Sequence, residues 1–180
     1  RGINAFTLGV RSVNPNATVT VKWTNTWFDV TIEKATALEL INSGCDLIAQ
    51  HADSTAPQIA AEEKGVKAIG YNSSTPDAAP TAYLTAPLFH WDVFYKNDVE
   101  SIMNGTWQPK SYWGGLKDGM VSLDTLTSNN VAGTQEAVDA AKAKIEDGSL
   151  VIFSGELKDN EGKVRVEAGK SMTDAELQAF

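Results

Sequence analysis

The chain has 180 residues, 42% hydrophobic and 21% charged, the profile of an ordinary globular domain with a buried core. A formal net charge of −8 repels phosphate backbones and anionic lipid surfaces, which argues against nucleic acid as a partner. Cys45 is the single cysteine and His51 and His90 the only histidines, so neither a disulfide nor a structural metal site is expected, and no cofactor is called for.

Apolar residues at Ile3, Phe6, Val10 and Val13 repeat at helical spacing from the start, with no cap ahead of them. A helix already running at the first residue implies an upstream segment or a processed leader. Asn14-Pro15-Asn16 stops this helix, and Thr18 to Trp23 alternates as a strand, with Trp23 expected in the core. Residues 30–42 place Ile32, Ala35, Leu38 and Ile41 on one helical face, closed by Ser43-Gly44. Cys45 to Ala49 reads as a short buried strand, Ala56 to Lys64 as a helix ended by Gly65, and Val66 to Tyr71 as the next strand. Strands alternating with helices across tight connections describe parallel βαβ units, an α/β three-layer sandwich around a parallel sheet.

Ligands of such sheets collect at the carboxyl ends of the strands. The first end carries Trp23, Asn25, Trp27 and Asp29; the second runs Gln50-His51-Ala52-Asp53-Ser54-Thr55; the third runs Tyr71-Asn72-Ser73-Ser74. Asp53, Ser54 and Thr55 also suit the N-terminus of the helix that follows. Capping does not account for Trp27, a large aromatic just past a strand end, which needs something flat to cover it. An indole face with Asn and Asp nearby suits a planar heteroaromatic, stacked on the ring and read at its edge.

Arg1 to Phe6, Trp23 to Asp29, Gln50 to Ser54, Ala68 to Tyr71, Leu84 to Pro87 and Tyr112 to Gly119 together resemble the BMP (basic membrane protein) family. These are substrate-binding proteins of bacterial ABC transporters, similar to the purine nucleoside receptors. The resemblance implies a type I periplasmic-binding-protein fold, two α/β lobes closing like a hinge, of which this chain supplies mostly the second. Residues 1–84 would belong to that lobe and 85–118 to hinge crossings and elements packing on the first lobe. Residues 119–180 would return to the second lobe, with a helix over 131–146 and strands at 150–158 and 163–167.

Carried over position by position, the base-stacking aromatic falls on Trp27, with Asn25 beside it. Asp53 stands where nucleoside receptors show glycine, and Asn72 where they place an aspartate suited to ribose hydroxyls. Their lysine beyond the hinge falls on Phe89, with Trp91 two residues on. Losing ribose-gripping charges while gaining a carboxylate and an aromatic favours a free purine base, adenine first, over a nucleoside. The resemblance further implies an extracytoplasmic location, ABC transporter permease subunits as partners, and membrane attachment only through a lipid anchor ahead of residue 1.

No enzymatic site is complete: His51, Asp53 and Ser54 lack a nucleophile elbow, and no phosphate-binding glycine motif occurs. The alternative is the effector-binding lobe of a purine- or sugar-responsive transcriptional regulator, which shares the fold.

Overall fold

The computed structural model describes residues 1–178 and divides them into two compact units, 1–19 with 143–178, and 20–142. The first unit begins with α1 (Gly2–Val13), the helix read from its apolar spacing.

In the second unit, Asp29 opens α2 (Val30–Asn42) by accepting hydrogen bonds at Oδ1 from the N–H groups of Thr31 and Ile32, 3.0 and 2.9 Å. β1 (Leu47–Ala49), α3 (Ala56–Lys64) and β2 (Lys67–Ile69) follow. Gly65 ends α3 in the left-handed conformation, φ 70°, that a residue without Cβ adopts freely. A 3-10 turn at Pro76–Ala78 leads to β3 (Tyr83–Thr85), and β1, β2 and β3 form one parallel sheet in that order. Helices α2 and α3 pack against each other, with α3 lying on β1 and β2. The core is small and alanine-rich: Ala37, Ile48, Ala60, Ala61, Ala68 and Ala86 close around the fully buried Tyr83. At Gly70 a Cβ would stand 2.8 Å from the Tyr83 ring and 3.2 Å from the Ala86 methyl, so only glycine fits where β2 leaves the sheet.

From β3 the chain passes into β4 (Pro87–Phe89), then α4 (Trp91–Met103), and comes back antiparallel to β4 as β5 (Val121–Leu123). It rejoins the parallel sheet at Asp124, whose N–H donates to Ala86 O at 2.8 Å, and Thr127 N–H reaches Leu84 O at 3.1 Å. Helix α4 buries none of its residues and leaves Trp91, Tyr95, Val99 and Ile102 exposed along one stripe. α5 (Thr134–Glu146) follows.

The rest of the first unit is a short hairpin, β6 (Leu157–Lys158) with β7 (Val164–Val166), and α6 (Asp174–Gln178). Asp159 holds the hairpin turn by accepting from the N–H groups of Glu161 and Lys163 and from Arg165 Nε.

Three expectations are corrected. Thr18 to Trp23 forms no strand, and Trp23 is 75% exposed rather than in the core. Alternation supplies propensity but a strand needs a ladder, and among the described residues β1 pairs with β2 alone. The buried face of α2 is set by Glu33 and Ala37, while Ile32 and Ala35 are exposed. The strand expected over 150–158 is confined to Leu157–Lys158.

Candidate ligand-binding site

Three loops make the rim at the carboxyl end of the sheet: residues 25–29 before α2, 50–55 after β1, and 70–75 after β2. Asn25 in the first and Asn72 in the third are the non-glycine residues with positive φ among those described, 56° and 66°. Asparagine tolerates this region better than other side-chain-bearing residues, which explains its placement at both turns. Asn72 also makes an isolated parallel bridge with Leu88, tying the third loop to β4.

A row of rings crosses the rim. Trp27 meets His51 with centroids 6.1 Å apart, His51 meets Tyr71 at 4.5 Å, Tyr71 meets Phe89 at 5.9 Å, and Phe89 meets Trp91 at 6.2 Å. Trp91 then stacks on Tyr95 at 6.4 Å and 29°. The contacts before Trp91 are edge-on or tilted, the arrangement that aromatic quadrupoles prefer. Trp27 stays 69% exposed.

Asp53 sits beside this row. Its N–H donates to Trp27 O at 2.9 Å, and its carboxylate is exposed. Burial first, and the negative charge of Asp53 second, push the Tyr71 phenol above its ordinary value. The start of α3 is served instead by Ser54, whose Oγ accepts from Ala56 N–H at 3.2 Å, so the Asp53 carboxylate lies outside the cap. Of the residues expected at the site, Trp27, Phe89 and Trp91 thus share one row, with Asp53 and Asn72 adjoining it and Asn25 in the turn ahead of Trp27.

Sequence reasoning left out His51 and Tyr71 as ring contacts, and it missed Glu33. In the sequence His51 reads as one polar residue of the second strand end and as a member of an incomplete triad, and Tyr71 as the start of the third strand end. Glu33 is 1% exposed; its Oε1 accepts from Asp29 N–H at 2.9 Å, and its Oε2 from Ser54 N–H and Oγ–H at 3.2 and 2.5 Å. Its signal in the sequence is a glutamate one turn after a capping aspartate, close to the capping-box pattern.

The chain matches the family model described as "Bmp: ABC transporter substrate-binding protein PnrA-like" over residues 1–153. It is 37% identical over 177 residues, 98% of this chain and 50% of the relative, to a purine-binding protein of Brucella abortus. A protein of Haloferax volcanii named for glucose binding in ABC transport is 39% identical over 155 residues, 86% of this chain and 40% of that one. The chain therefore spans half or less of the length of these curated relatives. Among solved structures, an ABC transporter solute-binding protein from Conexibacter woesei superposes with a TM-score of 0.66 at 21% identity, covering 82% of this chain and 50% of that one. The α/β architecture with its parallel sheet is thus that of periplasmic-binding-protein-type ABC solute receptors, and the family is one of substrate-binding components of ABC transport. From its N-terminal helix to Phe153 this chain belongs to the BMP family of PnrA-like ABC transporter substrate-binding proteins.

Proposed function

We propose that the protein is the extracytoplasmic substrate-binding component of a BMP-type ABC transporter and that its rim takes a purine base, adenine first. The observation that carries this reading is the row Trp27–His51–Tyr71–Phe89–Trp91 with the Asp53 carboxylate at its side. The rings supply a face for a flat heterocycle, and Asp53 accepts from its exocyclic amine or ring N–H. Asn72 and Phe89 stand where ribose would need charged partners, which disfavours adenosine.

In this reading the stripe on α4 packs against a first lobe, with residues 85–118 crossing to it, while 1–84 and 119–180 form the second lobe. Closure between lobes expels water from the bound base. Permease subunits receive the ligand, and a lipid anchor ahead of residue 1 holds the receptor at the membrane.

Calorimetric titration of the full-length protein with adenine, adenosine and glucose tests it. Adenine is expected to bind tightest and glucose to give no heat. Tighter binding of adenosine returns the protein to the nucleoside receptors, and tighter binding of glucose removes the purine reading.

A further inference from the structure

Glu33 is buried beneath the rim, and its two oxygens serve different loops. Oε1 receives the N–H of Asp29, which ends the loop of Trp27; Oε2 receives both the N–H and the hydroxyl of Ser54, next to Asp53. A helix cap for α2 would occupy one oxygen only. Beyond Ser54 the polar chain continues: Gln50 Nε2 donates to the carbonyls of Ala52 and Ser54 at 2.8 and 2.7 Å, and Gln58 Nε2 to Gln50 Oε1 at 3.3 Å. Thr75 Oγ1 donates to Gln58 Oε1 at 3.0 Å, so this tier reaches the third loop. Three side chains of the tier, Glu33, Ser54 and Gln58, are the buried polar residues among those described.

We infer that Glu33 is a positioning residue for ligand recognition: out of reach of the ligand, it fixes the Trp27 loop to the Asp53 loop, so that the stacking face and the edge acceptor keep one separation. This rests on reading the rim as the purine site. A buried carboxyl bonded to two loops resists displacement of either, because a separated loop leaves an unpaired polar group away from water.

The test is Glu33→Gln in the full-length protein, read by amide hydrogen exchange and by adenine calorimetry. The amide retains one acceptor and turns an N–H2 toward the donors of the other loop. Amides of residues 25–29 and 50–55 are expected to exchange at least tenfold faster while β2 and β3 keep their native rates, and adenine is expected to bind at least tenfold more weakly. Unchanged exchange in the two loops, acceleration spread evenly over the sheet, or native adenine affinity despite loosened loops each overturns the inference. Should Glu33→Gln not fold, Ser54→Ala removes the hydroxyl link alone, and the same two loops must then exchange faster or the inference fails. If the native protein ignores adenine, the purine reading falls, and the exchange arm decides the tie between the loops by itself.

Discussion

The carbonyl of Trp27 accepts the N–H of Asp53 at 2.9 Å, so the loops that carry an exposed indole and an exposed carboxylate meet through a backbone bond that involves neither side chain. Removing the ring leaves that bond in place. Trp27→Ala in the full-length protein is therefore expected to weaken adenine binding by ~1–3 kcal/mol, the range for bases stacked on aromatics, without disturbing Asp53. Calorimetry giving native affinity would remove Trp27 from the site.

Asp53 lies outside the α3 cap, so its charge can be altered at little cost to folding. Asp53→Asn is expected to leave the ligand-free melting temperature nearly constant and to lower adenine affinity at least tenfold. The new amide N–H2 would face a donor on the base, at a cost of ~1–3 kcal/mol in a closed cleft. Normal adenine binding by this variant assigns the choice of base to other residues.

At Asn72 the backbone itself makes a prediction. With φ at 66°, Asn72→Ala is expected to destabilise by ~1 kcal/mol, whereas Asn72→Gly holds or raises stability. Urea midpoints of the two variants check this, and equal midpoints would show that the turn relaxes out of the left-handed region. Adenine affinity is expected to fall in both, since both lose the amide.

A pH profile probes the point where β5 rejoins the sheet. Asp124 Oδ2 accepts from the Tyr83 hydroxyl at 2.7 Å and from Ser74 Oγ at 2.5 Å. Partial burial pushes the Asp124 carboxyl up, but the bonds from Ser74, Tyr83 and Thr125 together leave it below its ordinary value. A folded pKa below the unfolded one adds stability that is complete above the ordinary carboxylate range and lost as pH falls through the folded value. For Tyr83, burial and then the bond to Asp124 and its charge raise the phenol well above 10, so its contribution is complete below about pH 10 and lost at higher pH. Tyr83→Phe is expected to cost roughly 1–3 kcal/mol at neutral pH and to flatten the alkaline limb, and Asp124→Asn to flatten the acid limb. Urea unfolding at stepped pH measures both. An alkaline limb of native steepness in Tyr83→Phe would assign that limb to other groups.

Helices α2 and α3 were legible from their apolar spacing and their C-terminal stops, Ser43-Gly44 after one and Gly65 after the other, whereas Asp29, read as a rim residue, proves to be the N-cap of α2. The strand at 18–23 was misread because Val-Thr alternation states a preference, and pairing depends on a neighbour the alternation does not name. The face of α2 was misjudged for a related reason. Glu33 is buried because Ser54, 21 residues away, supplies its donors, and no helical period contains that information. Trp27 could be picked out singly as an aromatic past a strand end, and Phe89 and Trp91 only through the family resemblance. Their joining through His51 and Tyr71 arises only when the loops lie side by side.

The polar tier under the rim also bears on the order in which the molecule assembles. Its links span 21, 8 and 17 residues, from Glu33 to Ser54, Gln50 to Gln58 and Gln58 to Thr75, whereas those from Asp124 to Tyr83 and Ser74 span 41 and 50. Closing short loops costs less chain entropy, and local contacts favour early formation. The stretch from Asp29 to Thr75 is thus expected to form before the return at Asp124 is added. Substitutions in the tier should slow refolding, while those at Asp124 should chiefly speed unfolding.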